Sequence, residues 1–387
     1  MAKRAGKTAL FLGGGAPNLT LMSGALLGLH EEGQAKFDVI AMAGAGAVVG
    51  LIYLAPTRGL SKKDALQNTI NFGISDAIYE MCPINYKTFA KSGPSAKAFY
   101  DFWFSLDEVK WAVDQHNMNN KEKFWADWLL FLGAMMCPTD LNFFSKGFCE
   151  HPRLIEDLID FPRLRNVKLR GVPIEIEINA FDIAAHKIVD FKNRNSRNQP
   201  KEITANELRA ALSFPFIYPP HEFNGRRYYE GAAFETLNAP TDIDKIDTFI
   251  VLNPLRANLV RAPDNLWDAY TQSIIMPVVG IAESEVHANR HDISWIYYRG
   301  ALHQMKSALT GTSKQNRLHW RQKLEKKAWY SADLRIPDDD VHDALGWKRS
   351  SLERLFGFGY KAGKRLAEKL RNNTPDLPGS RLARMIV

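Results

Sequence analysis

The chain of 387 residues is long enough for one large α/β domain or two smaller ones, and its 45% hydrophobic and 24% charged residues are typical of a globular protein. Its three cysteines exclude a disulfide framework and fit a reducing, cytoplasmic compartment. No apolar run reaches the roughly 20 residues of a membrane span, and no signal-peptide core precedes the first predicted strand. No His or Cys spacing indicates a metal site, so we expect neither metal nor cofactor.

The net charge of +7 is concentrated near the C-terminus, where ten Lys/Arg stand against four Asp/Glu between Val341 and Val387. Such a basic segment suits an anionic membrane surface or an acidic protein partner. A solvated basic helix explains the charge equally well, so peripheral membrane contact, a protein partner and a homo-oligomer all stay open. Nucleic acid is not expected, because no recognised binding motif accompanies the charge.

The first predicted strand runs directly into a glycine turn. The apolar run Lys7–Leu12 is typical of a buried parallel strand, and Gly13, Gly14 and Gly15 follow it at once. We expect Asn18 to cap the next helix. Glycines beside a helix N-terminus leave backbone N–H groups bare, which favours an anion or oxyanion site.

A second predicted strand, 38–42, leads into a turn built only of small residues, 43–50. A strand-to-helix turn of this kind is where an α/β hydrolase places its nucleophile. This turn carries no hydroxyl, thiol or amine side chain. The pattern therefore predicts the frame of an acyl-transfer site without an attacking group.

Residues 74–148 are rich in aromatic side chains interleaved with acids and bases, which predicts an amphipathic helical insertion rather than a membrane span. The segment either packs a core of its own or forms a lid or wall around an acyl chain. The other predicted strands are 172–178, 187–191, 246–252 and an edge strand at 333–336, and a hairpin at 221–229 turns at Asn224-Gly225. Two helices are predicted within 51–72, separated at Pro56 and Gly59, with Ser61 capping the second, and a further helix is capped by Thr204 and Glu207. The remaining predicted helices are 264–287 (interrupted near Pro277), 294–327 and 350–372 (broken at 357–359).

The glycine loop, the small-residue turn and a later Glu-Gly-Ala turn at 230–232 together resemble the patatin-like phospholipases. The resemblance covers about 7–55 and 172–240, and 209–220 is similar to the family's helix end and Pro-Pro turn before the catalytic acid. The chain departs from the family at Pro17 and Asn18, where Arg and Gly are usual.

The resemblance implies a patatin-like, three-layer α/β fold with a mainly parallel central sheet. We expect this domain to span 1–290, with the helical insertion at about 74–148, and a basic helical C-terminal extension to span 291–387.

Patatin-like enzymes cleave acyl esters with a Ser-Asp dyad, and the resemblance implies where its parts would lie. Gly13, Gly14 and Gly15 fall on the oxyanion loop. The acid position falls on Glu230, which keeps the carboxylate but adds a methylene.

The nucleophile position of the family falls on Gly44, or on Ala43 or Ala45 if the turn is one residue shorter or longer. None of these residues can attack an ester. Three explanations stay open: a natural pseudoenzyme that retains a lipid pocket, a deliberate Ser→Gly replacement at residue 44, or attack by another group such as Ser23 or Ser213.

Two functions therefore follow from the sequence. The first is a lipid acyl hydrolase homologue that acts on or binds acyl esters or phospholipids, with Glu230 orienting or deprotonating the attacking group. The second is a non-catalytic lipid-binding or assembly protein that contacts a membrane or a protein partner. Whether the protein is an enzyme stays open at this point.

Overall fold

The computed structural model describes residues 6–15, 18–151, 153–195, 199–238, 245–263, 266–291 and 327–378. The strands are β1 (Lys7–Leu12), β2 (Val39–Met42), β3 (Ala90–Lys91), β4 (Cys149–Glu150), β5 (Lys168–Leu169), β6 (Val172–Pro173), β7 (Glu175–Asp182), β8 (Lys187–Lys192), β9 (His221–Phe223), β10 (Arg226–Glu230), β11 (Ile246–Leu252), β12 (Ala328–Ser331) and β13 (Leu377–Pro378).

The α-helices are α1 (Leu19–Glu31), α2 (Ala45–Leu54), α3 (Lys62–Asn68), α4 (Asp76–Met81), α5 (Pro94–Trp103), α6 (Asp107–Val113), α7 (Asn120–Met136), α8 (Arg153–Glu156), α9 (Phe161–Leu164), α10 (Ala205–Leu212), α11 (Leu266–His291), α12 (Val341–Ala344) and α13 (Arg349–Arg371).

The central sheet has the order β13-β12-β11-β1-β2-β7-β10-β9, with β8 also paired to β7. The pairs from β12 to β7 are parallel, and antiparallel pairs flank them on both sides. The described residues thus form a mainly parallel α/β sheet, which confirms the predicted fold class. The strands β1 and β11 span the predicted ranges because both are buried apolar runs.

The register of the sheet brings three chain segments together at one end. Leu12 lies opposite Met42, and Met42 lies opposite Ile178. Two residues further along β7, Ala180 lies opposite Glu230. The glycine loop after β1, the small-residue turn after β2 and the end of β10 therefore meet at the same edge.

The hairpin that carries Glu230 forms where it was predicted. Asn224 and Gly225 both have positive φ, 49° and 71°, as a two-residue turn that matches the sheet twist requires. The caps predicted at Ser61 and Thr204 also form. Asn18 stands at the N-cap of α1, but its side chain makes no capping hydrogen bond, so that part of the prediction is wrong.

Two predicted helix interruptions and one predicted strand differ from the structure. The helix α11 runs through Pro277, and α13 runs through 357–359, so neither helix is broken there. The strand expected at 333–336 is wrong, because 328–331 pairs with β11 instead and Leu334 and Ile336 pack into the core. The predicted helix at 294–327 falls almost entirely outside the described residues.

The helix α13 crosses α1 with backbone against backbone. A Cβ on Gly24 would overlap the carbonyl oxygen of Phe356, and one on Gly359 or Gly363 would overlap the carbonyl oxygen of Leu21 or Ala25. Only glycine permits so close an approach. The described part of the predicted C-terminal extension is therefore built into the fold, since α13 packs on α1 and β12 joins the central sheet.

A buried ion cluster attaches the helical insertion to the rest of the fold. The carboxylate of Asp127 on α7 lies 2.6 Å from Lys87 Nζ and 2.8 Å from an Arg349 nitrogen at the start of α13. Burial alone would raise the pKa of Asp127, but the two cations hold that pKa below its usual value. Within the described residues, no helix is both long and apolar enough to cross a bilayer.

Gly359→Ala is expected to destabilise the protein, whereas Gly357→Ala is expected to be neutral or stabilising. The added methyl at 359 would push α1 and α13 apart, which costs about 1–3 kcal/mol of unfolding free energy. A Cβ on Gly357 has no atom within 4 Å, so alanine there only removes the glycine penalty of about 0.5–1 kcal/mol. Urea unfolding of the two variants measures both changes, and equal midpoints would show that the crossing tolerates a side chain.

Candidate functional site

The site lies where the glycine loop, the turn after β2 and the Glu-Gly-Ala turn meet. A Cβ on Gly14 would lie closer to the Ala232 methyl than the 3.0 Å that real Cβ atoms keep from their neighbours. A Cβ on Gly44 would lie 3.0 Å from the same methyl. The three segments that the sequence singled out are therefore in mutual contact.

Gly44 has the geometry of a nucleophile elbow. Its φ of 47° and ψ of −124° place it in a region that residues with a side chain rarely adopt, and α2 begins at the next residue. Ala43 lacks a positive φ, is fully buried, and donates its N–H to the Leu12 carbonyl at 3.0 Å. Of the three positions that the sequence proposed for the missing nucleophile, Gly44 is the one with a positive φ.

The carboxyl of Glu230 occupies the space where a side chain at residue 44 would project. A Cβ on Gly44 would overlap Glu230 Oε1 and lie 3.1 Å from Glu230 Cδ. The backbone N–H of Glu230 donates to the Ser213 carbonyl at 2.9 Å, which fixes the base of the side chain. The additional methylene of glutamate therefore carries the carboxyl into the position of the absent side chain.

Glu230 is held in an apolar environment. The open part of its surface faces a cavity rather than bulk solvent, and the described residues supply no hydrogen-bond partner for its carboxyl. Burial raises the pKa of Glu230 from 4.5 to about 8, because desolvation penalises the charged form. The raised pKa favours the neutral carboxylic acid at neutral pH, and this form is able to donate a hydrogen bond.

The three glycines of the loop differ in what their N–H groups do. The Gly13 N–H donates to the Leu252 carbonyl at 3.0 Å, and the Gly14 N–H donates to the Thr236 carbonyl at 3.1 Å. The part of the chain that the structure describes supplies no acceptor for the Gly15 N–H, and Gly15 lines the cavity. Gly15 is therefore the loop residue that lines the cavity and whose N–H has no acceptor among the described residues.

A cavity of about 670 Å³ opens from this site, within the range of small-molecule pockets. Gly15, Ala45 and Glu230 lie at its sheet end, and its walls come from the insertion and from α10 and α11. Most of the lining is apolar. The polar exceptions include the Arg209–Glu156 pair, joined by two hydrogen bonds of 2.5 and 2.7 Å.

The two other serines that the sequence considered do not reach the cavity. Ser23 is fully buried on α1, and neither Ser23 nor Ser213 belongs to the cavity lining. The Ser213 hydroxyl donates to the Arg209 carbonyl at 2.8 Å and lies 3.0 Å from His151 Nε2. These contacts make Ser213 a structural residue that supports the segment before Glu230.

Sequence reasoning missed His151, which lines the cavity and stacks on Tyr218 with ring centroids 4.1 Å apart. Burial, with His221 and Arg209 nearby, lowers the pKa of His151 to about 3, so the ring is neutral. No motif in the sequence marks this residue, because its role depends only on contacts. Among the described residues, no group of three or more His, Cys, Asp or Glu is placed to hold a metal ion.

The chain is similar to known proteins. A family model described as patatin-like phospholipase matches residues 10–243 of the chain. The crystal structure of VipD from Legionella pneumophila is similar at 14% identity, with a TM-score of 0.36, over 94% of this chain and 67% of that chain. No curated protein sequence matches the chain at the significance level applied.

Restoring a serine at the elbow is expected to work only when Glu230 is shortened. Gly44→Ser alone leaves the hydroxymethyl group and the carboxyl in the same space, so we expect no gain in hydrolysis of p-nitrophenyl esters. Gly44→Ser combined with Glu230→Asp withdraws the carboxyl by one methylene and is expected to raise the rate at least ~100-fold over the wild type.

Ala43→Ser combined with Glu230→Asp is the matched control and is expected to stay inactive, because Ala43 is fully buried at the end of β2. Circular dichroism checks that each variant is folded. If Gly44→Ser alone were as active as the double variant, the Glu230 carboxyl would not be what blocks the elbow.

The buried carboxyl also predicts how stability depends on pH. Because the folded-state pKa of about 8 exceeds the usual 4.5, the stabilisation by Glu230 is complete below 4.5 and is lost as the pH rises through about 8. Glu230→Gln keeps the shape of the side chain but replaces the titratable carboxyl group by an amide. Between about pH 6 and about pH 9, the thermal unfolding temperature is expected to fall more for the wild type than for this variant. An equal fall in both proteins would argue against a buried acid.

Proposed function

This chain belongs to the patatin-like phospholipase family, and from that premise we propose that it binds acyl lipids in its cavity without forming an acyl-enzyme at the elbow. The observation that carries the proposal is the Glu230 carboxyl in the space of the missing nucleophile, next to an open apolar cavity. The pocket of a lipid hydrolase is retained, whereas its attacking group is replaced.

The chemistry of the cavity supports an acyl ligand. An apolar lining favours a hydrocarbon chain, because binding removes the apolar surface of the chain and of the cavity from water. At the sheet end, the protonated Glu230 carboxyl and the Gly15 N–H are two donors for a carbonyl oxygen. An ester or carboxylic acid with a long chain therefore matches both ends of the site.

The competing function is hydrolysis with Glu230 as a general base for an attacking water. A carboxyl whose pKa is raised to about 8 has the basicity for this role once it is ionised. This function predicts turnover of p-nitrophenyl esters by the wild type and its loss in Glu230→Gln. Binding without turnover is the outcome that our proposal requires.

Filling the cavity is expected to abolish lipid binding. Ala134 lies on α7 and lines the cavity, so Ala134→Trp places an indole where the acyl chain would lie. We expect the Kd for a fluorescent long-chain fatty acid to rise at least ~10-fold. Ala98→Trp is the matched control, because Ala98 is exposed on α5 of the same insertion and does not line the cavity.

Fluorescence titration of purified, delipidated protein measures both constants, and native mass spectrometry identifies any lipid that co-purifies. Equal binding by Ala134→Trp and Ala98→Trp would place the ligand outside this cavity. Wild-type turnover that Glu230→Gln removes would replace the binding function with the hydrolytic one.

A further inference from the structure

Five large apolar side chains line the cavity and are also exposed, by 40–55%: Ile84, Met135, Leu141, Phe148 and Phe216. Leu141 and Phe148 bound a loop whose tip is almost fully exposed, which places this side of the cavity next to solvent. These five residues form what we call the apolar rim.

The loop between Leu141 and Phe148 extends the apolar rim outward. Phe143 and Phe144 at its tip are exposed by 95% and 86%, more than other large apolar residues of the described chain apart from Leu266 at 88%. The two rings contact each other edge-on, with centroids 5.7 Å apart. Two adjacent, almost fully exposed phenylalanines are an unfavourable arrangement in water.

The C-terminal end of the loop is held by backbone hydrogen bonds and by ring packing. The N–H groups of Phe148 and Cys149 donate to the carbonyls of Phe216 and Ile217, at 3.1 and 2.9 Å. The Phe148 and Phe216 rings pack against each other with their centroids 4.5 Å apart. Phe216 adopts a φ of 73°, a conformation that costs free energy for a bulky residue, and still presents its ring at the opening.

The charge within the loop suits an anionic lipid surface. Between Leu141 and Phe148 the only charged residue is Lys146, which is exposed. The nearest preceding acid, Asp140, accepts hydrogen bonds from the N–H groups of Ser95 and Ala96, at 2.8 and 3.2 Å, so its charge is offset by the start of α5. Exposed aromatics beside a lysine are typical of segments that insert into a membrane interface.

From these observations we infer that the apolar rim and the Phe143–Phe144 tip dock onto the surface of a phospholipid bilayer. The docked rim joins the hydrocarbon region to the cavity, so an acyl chain enters without crossing water. This role for the cavity rests on the function proposed above, whereas the docking itself does not. We place the contact surface on the insertion loop; in the described part of the basic C-terminal segment, Lys364 and Arg371 of α13 pair with Glu32 of α1.

Vesicle flotation tests the docking. The 387-residue protein is mixed with phosphatidylcholine vesicles, with and without phosphatidylglycerol, and the bound fraction is measured for the wild type and for Phe143→Ser/Phe144→Ser. We expect this variant to bind at least ~10-fold more weakly to both vesicles. Lys146→Glu is expected to weaken binding mainly to the vesicles that contain phosphatidylglycerol.

Phe102→Ser/Trp125→Ser is the matched control, because these residues are exposed by 61% and 53% in the same insertion but do not line the cavity. The control is expected to float as the wild type does. Absence of wild-type flotation, or an equal loss in the control, would overturn the docking, and so would a wild type that binds protein partners but no vesicles.

Titration with a monomeric fluorescent fatty acid separates the docking from the function of the cavity. Phe143→Ser/Phe144→Ser is expected to bind this soluble ligand as the wild type does, since its changes lie on the exposed tip. If soluble-ligand binding fell together with flotation, the loop would be a cavity wall and the docking would be refuted. Flotation without any soluble-ligand binding by the wild type would leave the docking in place and refute the proposed function.

Discussion

The Glu230 carboxyl lies against the Gly44 backbone, and it fits there because residue 44 has no side chain. A side chain at 44 would collide with the carboxyl, and an aspartate at 230 would leave the space open. The sheet holds the strained turn and the acid in place: β2, which ends just before the turn, pairs with β1 and β7, and β10, which carries Glu230, pairs with β7. The Glu230 carboxyl therefore fills the space at the strained turn where the sequence predicted the nucleophile position.

The same frame decides how the cavity is enclosed. The insertion supplies several of its walls, and the insertion is anchored through Asp127, which contacts Lys87 and Arg349 in the interior. A buried cluster of one carboxylate and two cations is destabilised when one member is removed, because the others are left with an uncompensated charge. Arg349 begins α13, whose glycines lie against α1, so the C-terminal helix, the insertion and the first helix hold one another in place.

The chemistry of the site follows from the burial of the Glu230 carboxyl rather than from a neighbouring charge. Glu230 has no cation beside it among the described residues, and burial keeps its proton in place up to about pH 8. A neutral acid at the end of an apolar cavity recognises a carbonyl oxygen by donating to it. At the other end, the exposed phenylalanines beside Lys146 match a lipid interface, so a path from bilayer to acid would be apolar along most of its length.

The sequence by itself determined the elements whose cause is local. The buried apolar runs gave β1 and β11, Asn224-Gly225 gave the hairpin turn, and the glycine and Glu-Gly-Ala motifs identified the family and the three segments of the site. Only the tertiary structure decided what those segments do to one another. The insertion of Glu230 at Gly44, the bonded N–H groups of Gly13 and Gly14, and the unbroken α13 all depend on contacts between residues far apart in the chain, which no local pattern encodes.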